Sequence, residues 1–446
     1  MDSNAPGRFG TVDSAHSGSV GRAWLTVATL FLAQIVSTID RGMLALVIDP
    51  VRADLGISEM QIALLQGFAF SIFYVTVGLP LGAVADAVNR RKLLLAGIAV
   101  WSAATVAGGF AAGFGSMFAS RLFIGVGEAV LGPCAVTMIS DLFPPERRGR
   151  PMALYVFGSM IAFGLGSLIC GLILDLAPQG AFAGLPVIGK LAPWRIAFVL
   201  VGLSGVVLLA LLATLREPPR TVAAAAPGHE KLSFGQGMRA MGRQYRLFVP
   251  YYLALALFAV GGVVATGWGA VFLTRIFAYD IGSAGKALGL AQVLWAALGV
   301  VAAGIVVDRV GRRFGVAGRM RLAAGLTVLA LPSALPQFAG SGTMAIVMLG
   351  ELMFVMAIYG TTMLSVLSEI APPSLRGFAV ALYAFVMTLI GGSLGPVAVA
   401  WLTQSVFADP QAVGWSMAIV GTLAFTLSAL LAFVAAAQFQ AIRKVT

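Results

Sequence analysis

The sequence predicts an all-α integral membrane protein: twelve transmembrane helices in two pseudo-symmetric six-helix bundles. Three observations lead there. Of 446 residues, 59% are hydrophobic and 11% are charged, whereas a soluble domain carries about 25% charged residues and can cover a water-facing surface. Twelve apolar runs each approach the ~20 residues that a helix needs to cross a bilayer. The second half of the chain also repeats motifs of the first. This composition excludes a soluble enzyme, a disordered chain and a nucleic-acid binder. The net charge of +11 then marks cytoplasmic loops rather than an acidic partner. The 54 glycines suit close helix packing in lipid. Cys134 and Cys170 fall in apolar runs, so no disulfide framework is indicated.

The predicted spans lie at 24–48, 60–84, 93–113, 117–140, 152–174 and 194–215, then at 247–274, 287–307, 322–339, 343–368, 378–403 and 412–438. Residues 1–22 read as a polar cytoplasmic tail without a separate signal peptide. Residues 23–215 form the first bundle, 216–246 a cytoplasmic linker, 247–440 the second bundle and 441–446 a short tail. Within the linker, Phe234 to Tyr245 reads either as a basic amphipathic helix on the inner leaflet or as a solvated connection. With both termini inside, the inner segments carry 22 of the 29 Lys and Arg and the outer segments carry five; Arg41 and Arg121 fall within spans. That asymmetry predicts cytoplasmic termini. A multi-pass protein of a bacterial inner membrane is expected, as a monomer in the lipid bilayer.

The repeat fixes the architecture. Ser140-Asp-Leu-Phe-Pro-Pro-Glu-Arg-Arg148-Gly149 ends span four, and Ala153-Leu-Tyr155 opens span five. Ser368-Glu-Ile-Ala-Pro-Pro-Ser-Leu-Arg376-Gly377 and Ala381-Leu-Tyr383 stand at corresponding places 228 residues later. Gly82-x-x-x-Asp86-x-x-Asn-Arg90-Arg91 echoes Gly304-x-x-x-Asp308-Arg309-x-Gly311-Arg312-Arg313. Two halves of like topology with a long joining loop are the parallel repeat of a secondary transporter.

On these residues the chain resembles the major facilitator superfamily over nearly its whole length. The Gly-Asp-Arg signature is complete in the second half. In the first half, Ala87 and Asn89 depart from it. Arg121-x-x-x-Gly125-x-Gly127-Glu128 looks like that superfamily's fourth-helix motif. A narrower resemblance is to the spinster family of lysolipid and sphingolipid transporters. It rests on Asp40-Arg41, Leu64-Leu65-Gln66, Asn89-Arg90-Arg91-Lys92 and Arg121-Leu-Phe-Ile-Gly-Val-Gly-Glu128.

Ionisable groups within spans are costly and mark function by default. They are Asp40, Arg41, Arg121, Glu128 and Glu351. Both histidines, His16 and His229, lie outside the spans, so a proton carrier must be a carboxylate. At 1.5 Å per residue, Asp40 lies roughly 12 Å below the outer end of span one, nearly level with Arg121, and Glu128 lies near the midplane. Arg121 and Glu128 are seven residues apart and share a helix face. Gly125 and Gly127 leave room there for another helix or a ligand. Asp40 and Glu128 are the predicted proton-coupling residues, with Glu128 first. Arg41, Arg121, Glu128, Tyr359 and Tyr383 are the predicted substrate contacts. A static salt bridge is the plainer reading of the charges, and a structural role is as good for Glu351. Phe258, Trp268, Phe272, Trp295 and Phe385 would add an aromatic wall from the second half, suited to an amphiphile.

Gly82, Asp86, Arg90, Arg91, Gly304, Asp308, Arg309, Arg148 and Arg376 form the predicted cytoplasmic gate. A helix N-terminus is partly positive and attracts a carboxylate. Asp86 should therefore meet the start of span eleven near Arg376, and Asp308 the start of span five near Arg148. No HExxH, GxSxG, metal-ligand cluster or Walker motif is present, so neither enzyme chemistry, nor a cofactor, nor ATP hydrolysis is expected. The expected partners are a small amphiphilic substrate and protons. Broad-specificity drug efflux by proton antiport is the alternative, and a membrane sensor that does not transport is an alternative of another class.

Overall fold

The computed structural model describes residues 13–144, 147–219, 234–372 and 375–445. Its regular elements are helices, with no strand among the described residues. Eleven of them are long and apolar enough to cross a membrane. They are Gly21–Leu46, Glu59–Gly78, Arg90–Gly109, Phe114–Leu142, Gly149–Leu176, Pro193–Thr214, Tyr245–Ile276, Ile281–Ala334, Gly342–Ile370, Phe378–Val406 and Pro410–Ile442. The eighth is 54 residues long and contains predicted span eight and most of span nine, ending at Ala334 rather than at 339. The helix breaks at Gly315, whose φ of 63° and ψ of −156° are not helical. A positive φ costs glycine least, so the chain reverses there and makes two crossings. The twelve predicted spans are therefore present and are numbered one to twelve below. Span one begins earlier than predicted: its helix starts at Asp13 and takes up part of the expected tail.

Local chemistry sets the breaks inside spans. Span two consists of helices Glu59–Gln66 and Phe68–Ala87. Ser58 caps the first, accepting from the Gln61 N–H while the Gln61 side chain accepts from the Ser58 N–H. Gly67 divides the two. A Cβ on it would lie 2.0 Å from the Gly392 carbonyl oxygen of span eleven, so only glycine permits this approach. Span four divides after Glu128 into Phe114–Glu128 and Leu131–Leu142. Pro133 follows this break and supplies no N–H to the preceding turn.

The repeat extends to ion pairs at the face that carries the termini. Arg90, at the start of span three, meets Asp141 at the end of span four at 2.5 Å. Arg319, at the start of span nine, meets Glu369 at the end of span ten at 2.5 Å. Asp141 and Glu369 are 228 residues apart, the offset of the motif pair. The sequence aligns Arg90 with Arg312 instead, because the segment around Gly315 shifts the register. In the linker, Glu217 caps span three, accepting from the Arg90 and Arg91 N–H groups at 3.2 and 2.8 Å. Phe234–Gly242 forms the predicted amphipathic helix. It is docked rather than free: Met241 is buried, and Gly237 packs against Phe378 of span eleven.

Candidate functional site

Spans one, two, five, seven, eight and eleven surround a cavity of about 250 Å³ between the two bundles. Its lining is mainly apolar and includes Phe70, Phe163, Val263 and Leu288. Its polar members include Thr38, Arg41, Gln66, Ser167, Gln292 and Thr388. Arg41 is its one charged lining residue among the described residues.

Behind Arg41 the predicted charges meet in two crossed pairs. Arg41 Nε lies 2.6 Å from Glu128 Oε2; the arginine side chain is 30% exposed and the glutamate 0%. Arg121 Nη1 donates to the Asp40 carbonyl oxygen at 3.2 Å, and its carboxylate lies at 3.9 Å. The Thr105 hydroxyl donates to Asp40 Oδ2. Adjacent residues of span one, pointing about 100° apart, thus engage different levels of span four. Sequence spacing gives the depth of these groups but not this division of partners.

The surroundings explain why the pairs persist. A buried charge needs a partner or hydrogen bonds; each one here has an ion-pair partner, while Glu128 Oε1 and Arg121 Nη2 are left without a hydrogen bond. Arg41 also donates to the Ser37 hydroxyl at 2.9 Å and lies about 5 Å from the Phe70 and Tyr74 ring centres. Gly125 and Gly127 provide close approach for helices rather than space for a ligand. A Cβ on either would lie 2.6 Å from the Phe70 or Gly97 carbonyl oxygen. Span four is thereby pressed between spans two and three with Glu128 facing Arg41.

The predicted tyrosines lie elsewhere. Tyr359 is 1% exposed, and its ring stacks on Phe258 at 3.6 Å. Neither it nor Tyr383 borders the cavity. None of the five aromatics predicted for a second-half wall, Phe258, Trp268, Phe272, Trp295 and Phe385, lines this cavity. Phe258, Trp268 and Phe272 are packed inside their own bundle, and the rings on the cavity are Phe70 and Phe163 of the first half. Glu351 Oε1 is buried without a hydrogen-bond partner and lies off the cavity lining.

The halves are bonded together on the side away from the termini. Arg275 of span seven meets Asp49 at 2.6 Å and Glu59 at 2.8 Å. Lys286 of span eight meets Asp175 of span five at 2.6 Å. The Met60 N–H donates to Gln404 at 3.0 Å, and Ser71 to the Thr388 carbonyl at 2.9 Å. The sequence reading counted Arg275 and Lys286 only as loop charges. Their acidic partners are distant in sequence, and no local spacing connects them.

Of the predicted gate at the terminal face, the Asp308–Arg148 contact is not made among the described residues. Asp308 and Arg376 are exposed. Arg148 donates to the Phe143 carbonyl of its own loop at 2.7 Å, and no contact joins it to Asp308. Gly304 and Arg309 are also exposed. Arg90 and Arg91 serve the first bundle, where Arg91 donates to the Leu212 carbonyl at 3.1 Å. The side chains of Gly82 and Asp86 lie outside the described residues. No group of three or more metal-ligating side chains occurs among the described residues.

Residues 30–396 match the family model described as Major Facilitator Superfamily. Over 434 residues the chain is 25% identical to an MFS-type efflux pump of Mycolicibacterium smegmatis, covering 96% of each. It is 29% identical to Protein spinster of Drosophila melanogaster over 258 residues, 57% of this chain and 40% of that one. With human Protein spinster homolog 1 it shares 29% identity over 58% of this chain and 47% of that one. The chain thus matches less than half the length of these two relatives. A solved bacterial homolog to the human lysosomal transporter spinster, inward-facing and occupied, aligns with a TM-score of 0.75 at 24% identity. That alignment covers 94% of this chain and 96% of that one, and it shows a shared fold.

Proposed function

The chain belongs to the major facilitator superfamily, and from that premise we propose a proton-coupled secondary active transporter of an amphiphilic organic anion, such as a lysolipid or a sphingolipid-like molecule. It is a multi-pass membrane transporter related to the spinster proteins, and those relatives are transporters, not enzymes. The Lys/Arg asymmetry supports a cytoplasmic terminal face. On that orientation the structure, bonded shut on the far side, is an inward-facing state.

One observation carries the proposal. Arg41 touches the cavity while its Nε holds the fully buried Glu128 at 2.6 Å. Protonation of Glu128 removes the charge that holds the guanidinium. Arg41 then pairs with an anion in the cavity, and the anion's departure returns it to Glu128. Substrate and proton act on one arginine, which is the differential interaction that coupling requires. The apolar remainder of the lining suits a hydrocarbon tail.

Broad-specificity drug efflux is the second reading, favoured by the full-length match to an efflux pump. Counterflow in proteoliposomes at several pH values separates the two. Exchange of anionic over cationic amphiphiles supports the first reading. Equal exchange of cationic drugs supports the second, and binding without exchange would indicate a sensor.

A further inference from the structure

Gln66 belongs to the Leu64-Leu65-Gln66 stretch, to which the coupling scheme assigns no task. It ends the helix Glu59–Gln66 at the Gly67 break, and its side chain lines the cavity that Arg41 borders. Its Nε2 donates across the two halves to the Gly267 carbonyl at 3.4 Å. Turning the amide over would set two carbonyl oxygens against each other, so the hydrogen-bond chemistry fixes this orientation. Oε1 is left buried with no hydrogen-bond partner. A buried acceptor without a donor carries its full desolvation cost and calls for an explanation.

Four of the five hydroxyl side chains that line the same cavity are committed elsewhere, the fifth being that of Thr388. Ser71 donates to the Thr388 carbonyl at 2.9 Å and Ser167 to Gln292 Oε1 at 3.2 Å. Thr38 and Thr266 donate to carbonyls one turn back, those of Gln34 and Gly262, at 2.9 and 3.0 Å. Gly267, beside Gln66, has no side chain to offer. The missing donor therefore has a place to come from, the cavity itself.

We propose that Gln66 Oε1 accepts a hydrogen bond from a hydroxyl on the substrate's head group, and so makes Gln66 a specificity-determining residue. This rests on the reading of Arg41 as the anion site. The Arg41 guanidinium in the same cavity disfavours an ammonium donor, which leaves a neutral hydroxyl. The head group then carries an anion for Arg41 and a hydroxyl for Gln66.

The test compares two probes differing by one hydroxyl, hexadecyl phosphate and 2-hydroxyhexadecyl phosphate, by thermal-shift titration of the full chain in detergent. The wild type should bind the hydroxylated probe about 10-fold more tightly, the worth of one net hydrogen bond in a dry site. Gln66→Leu should bring that ratio to about 1. Gly267→Ser is the second variant. A Cβ there meets nothing closer than 3.4 Å, and that contact is Gln66 Oε1. Its hydroxyl should satisfy Oε1 from within and also reduce the ratio, with Gln66 in place. It decides the matter alone if the leucine variant does not fold. A ratio that persists in the folded variants overturns the proposal and leaves Gln66 as a bridge to Gly267. A wild-type ratio of 1, with both probes still lost in Arg41→Ala, overturns it while the anion site stands. Failure of both probes to bind the wild type overturns the anion site and this inference with it.

Discussion

Arg41 serves two sites at once, and that is costly to disturb. Removing one member of a buried ion pair costs about 3–5 kcal/mol, because the remaining charge is stranded. Arg41→Ala should therefore lower the melting temperature in detergent as well as weaken binding of a phosphorylated amphiphile. Adding Glu128→Gln should restore much of the stability and none of the binding. A double variant no more stable than Arg41→Ala would show that the 2.6 Å contact contributes little. Asp54, outside the spans, offers a cleaner titration. The Arg195 guanidinium at 2.7 Å, with the Trp194 indole N–H at 2.9 Å, holds its carboxyl below the usual range against a small cost of burial. The folded state then binds fewer protons than the unfolded one. The stability this adds is complete above the unfolded value of 3.8 and is lost as pH falls through the lower folded value. Asp54→Asn should lower the melting temperature at neutral pH and flatten its decline below about pH 4. An unchanged acid slope would contradict this.

At the scale of elements, glycines decide how closely the bundles meet. Gly67 lies against the Gly392 backbone, which cannot yield as a side chain would. Gly67→Ala should push spans two and eleven apart on the far side. Cross-linking of cysteines introduced at Met60 and Gln404 should fall several-fold, and undiminished cross-linking would refute the claim. Elements are also where the sequence was most legible. Twelve apolar runs and the 228-residue offset are local signals, and each has its counterpart in the fold. Depth along a helix was legible too, which put Asp40 level with Arg121 and Glu128 deeper, near the midplane. Azimuth was not: nothing in sequence tells that Arg41 turns to Glu128 while Asp40 turns to Arg121. Nor does hydropathy reveal that Tyr359 stacks inside its own bundle, since cavity wall and core have the same composition. Arg319 escaped because the Gly315 break displaces the second copy of the Arg90 position.

Over the whole molecule, the far face is bonded across the halves, and among the described residues no ion pair joins the halves at the terminal face. Arg275 joins Asp49 and Glu59 across the halves, and Lys286 joins Asp175. On the proposed alternating-access reading, the Asp308–Arg148 contact expected at the terminal face forms in the alternative state, in which the far side opens. Arg275→Ala should leave Glu59, which is 2% exposed, with only the longer 3.6 Å contact to Arg52 of its own half, and shift the population toward the outward-open state. Spin labels on the far-side ends of spans one and seven should then report longer distances. An unchanged distribution would assign closure to the glycine contacts instead.

In the proposed mechanism one arginine answers to both a proton and an anion, with Glu128 as the proton carrier. Glu128→Gln fixes the neutral form while keeping the shape. In proteoliposomes loaded with a phosphorylated amphiphile, wild-type transport should accelerate under an imposed pH gradient. The variant should lose that acceleration and retain exchange at equal pH on both sides. A Glu128→Gln protein that still responds to the gradient as the wild type does would contradict the account and move the proton to Asp40.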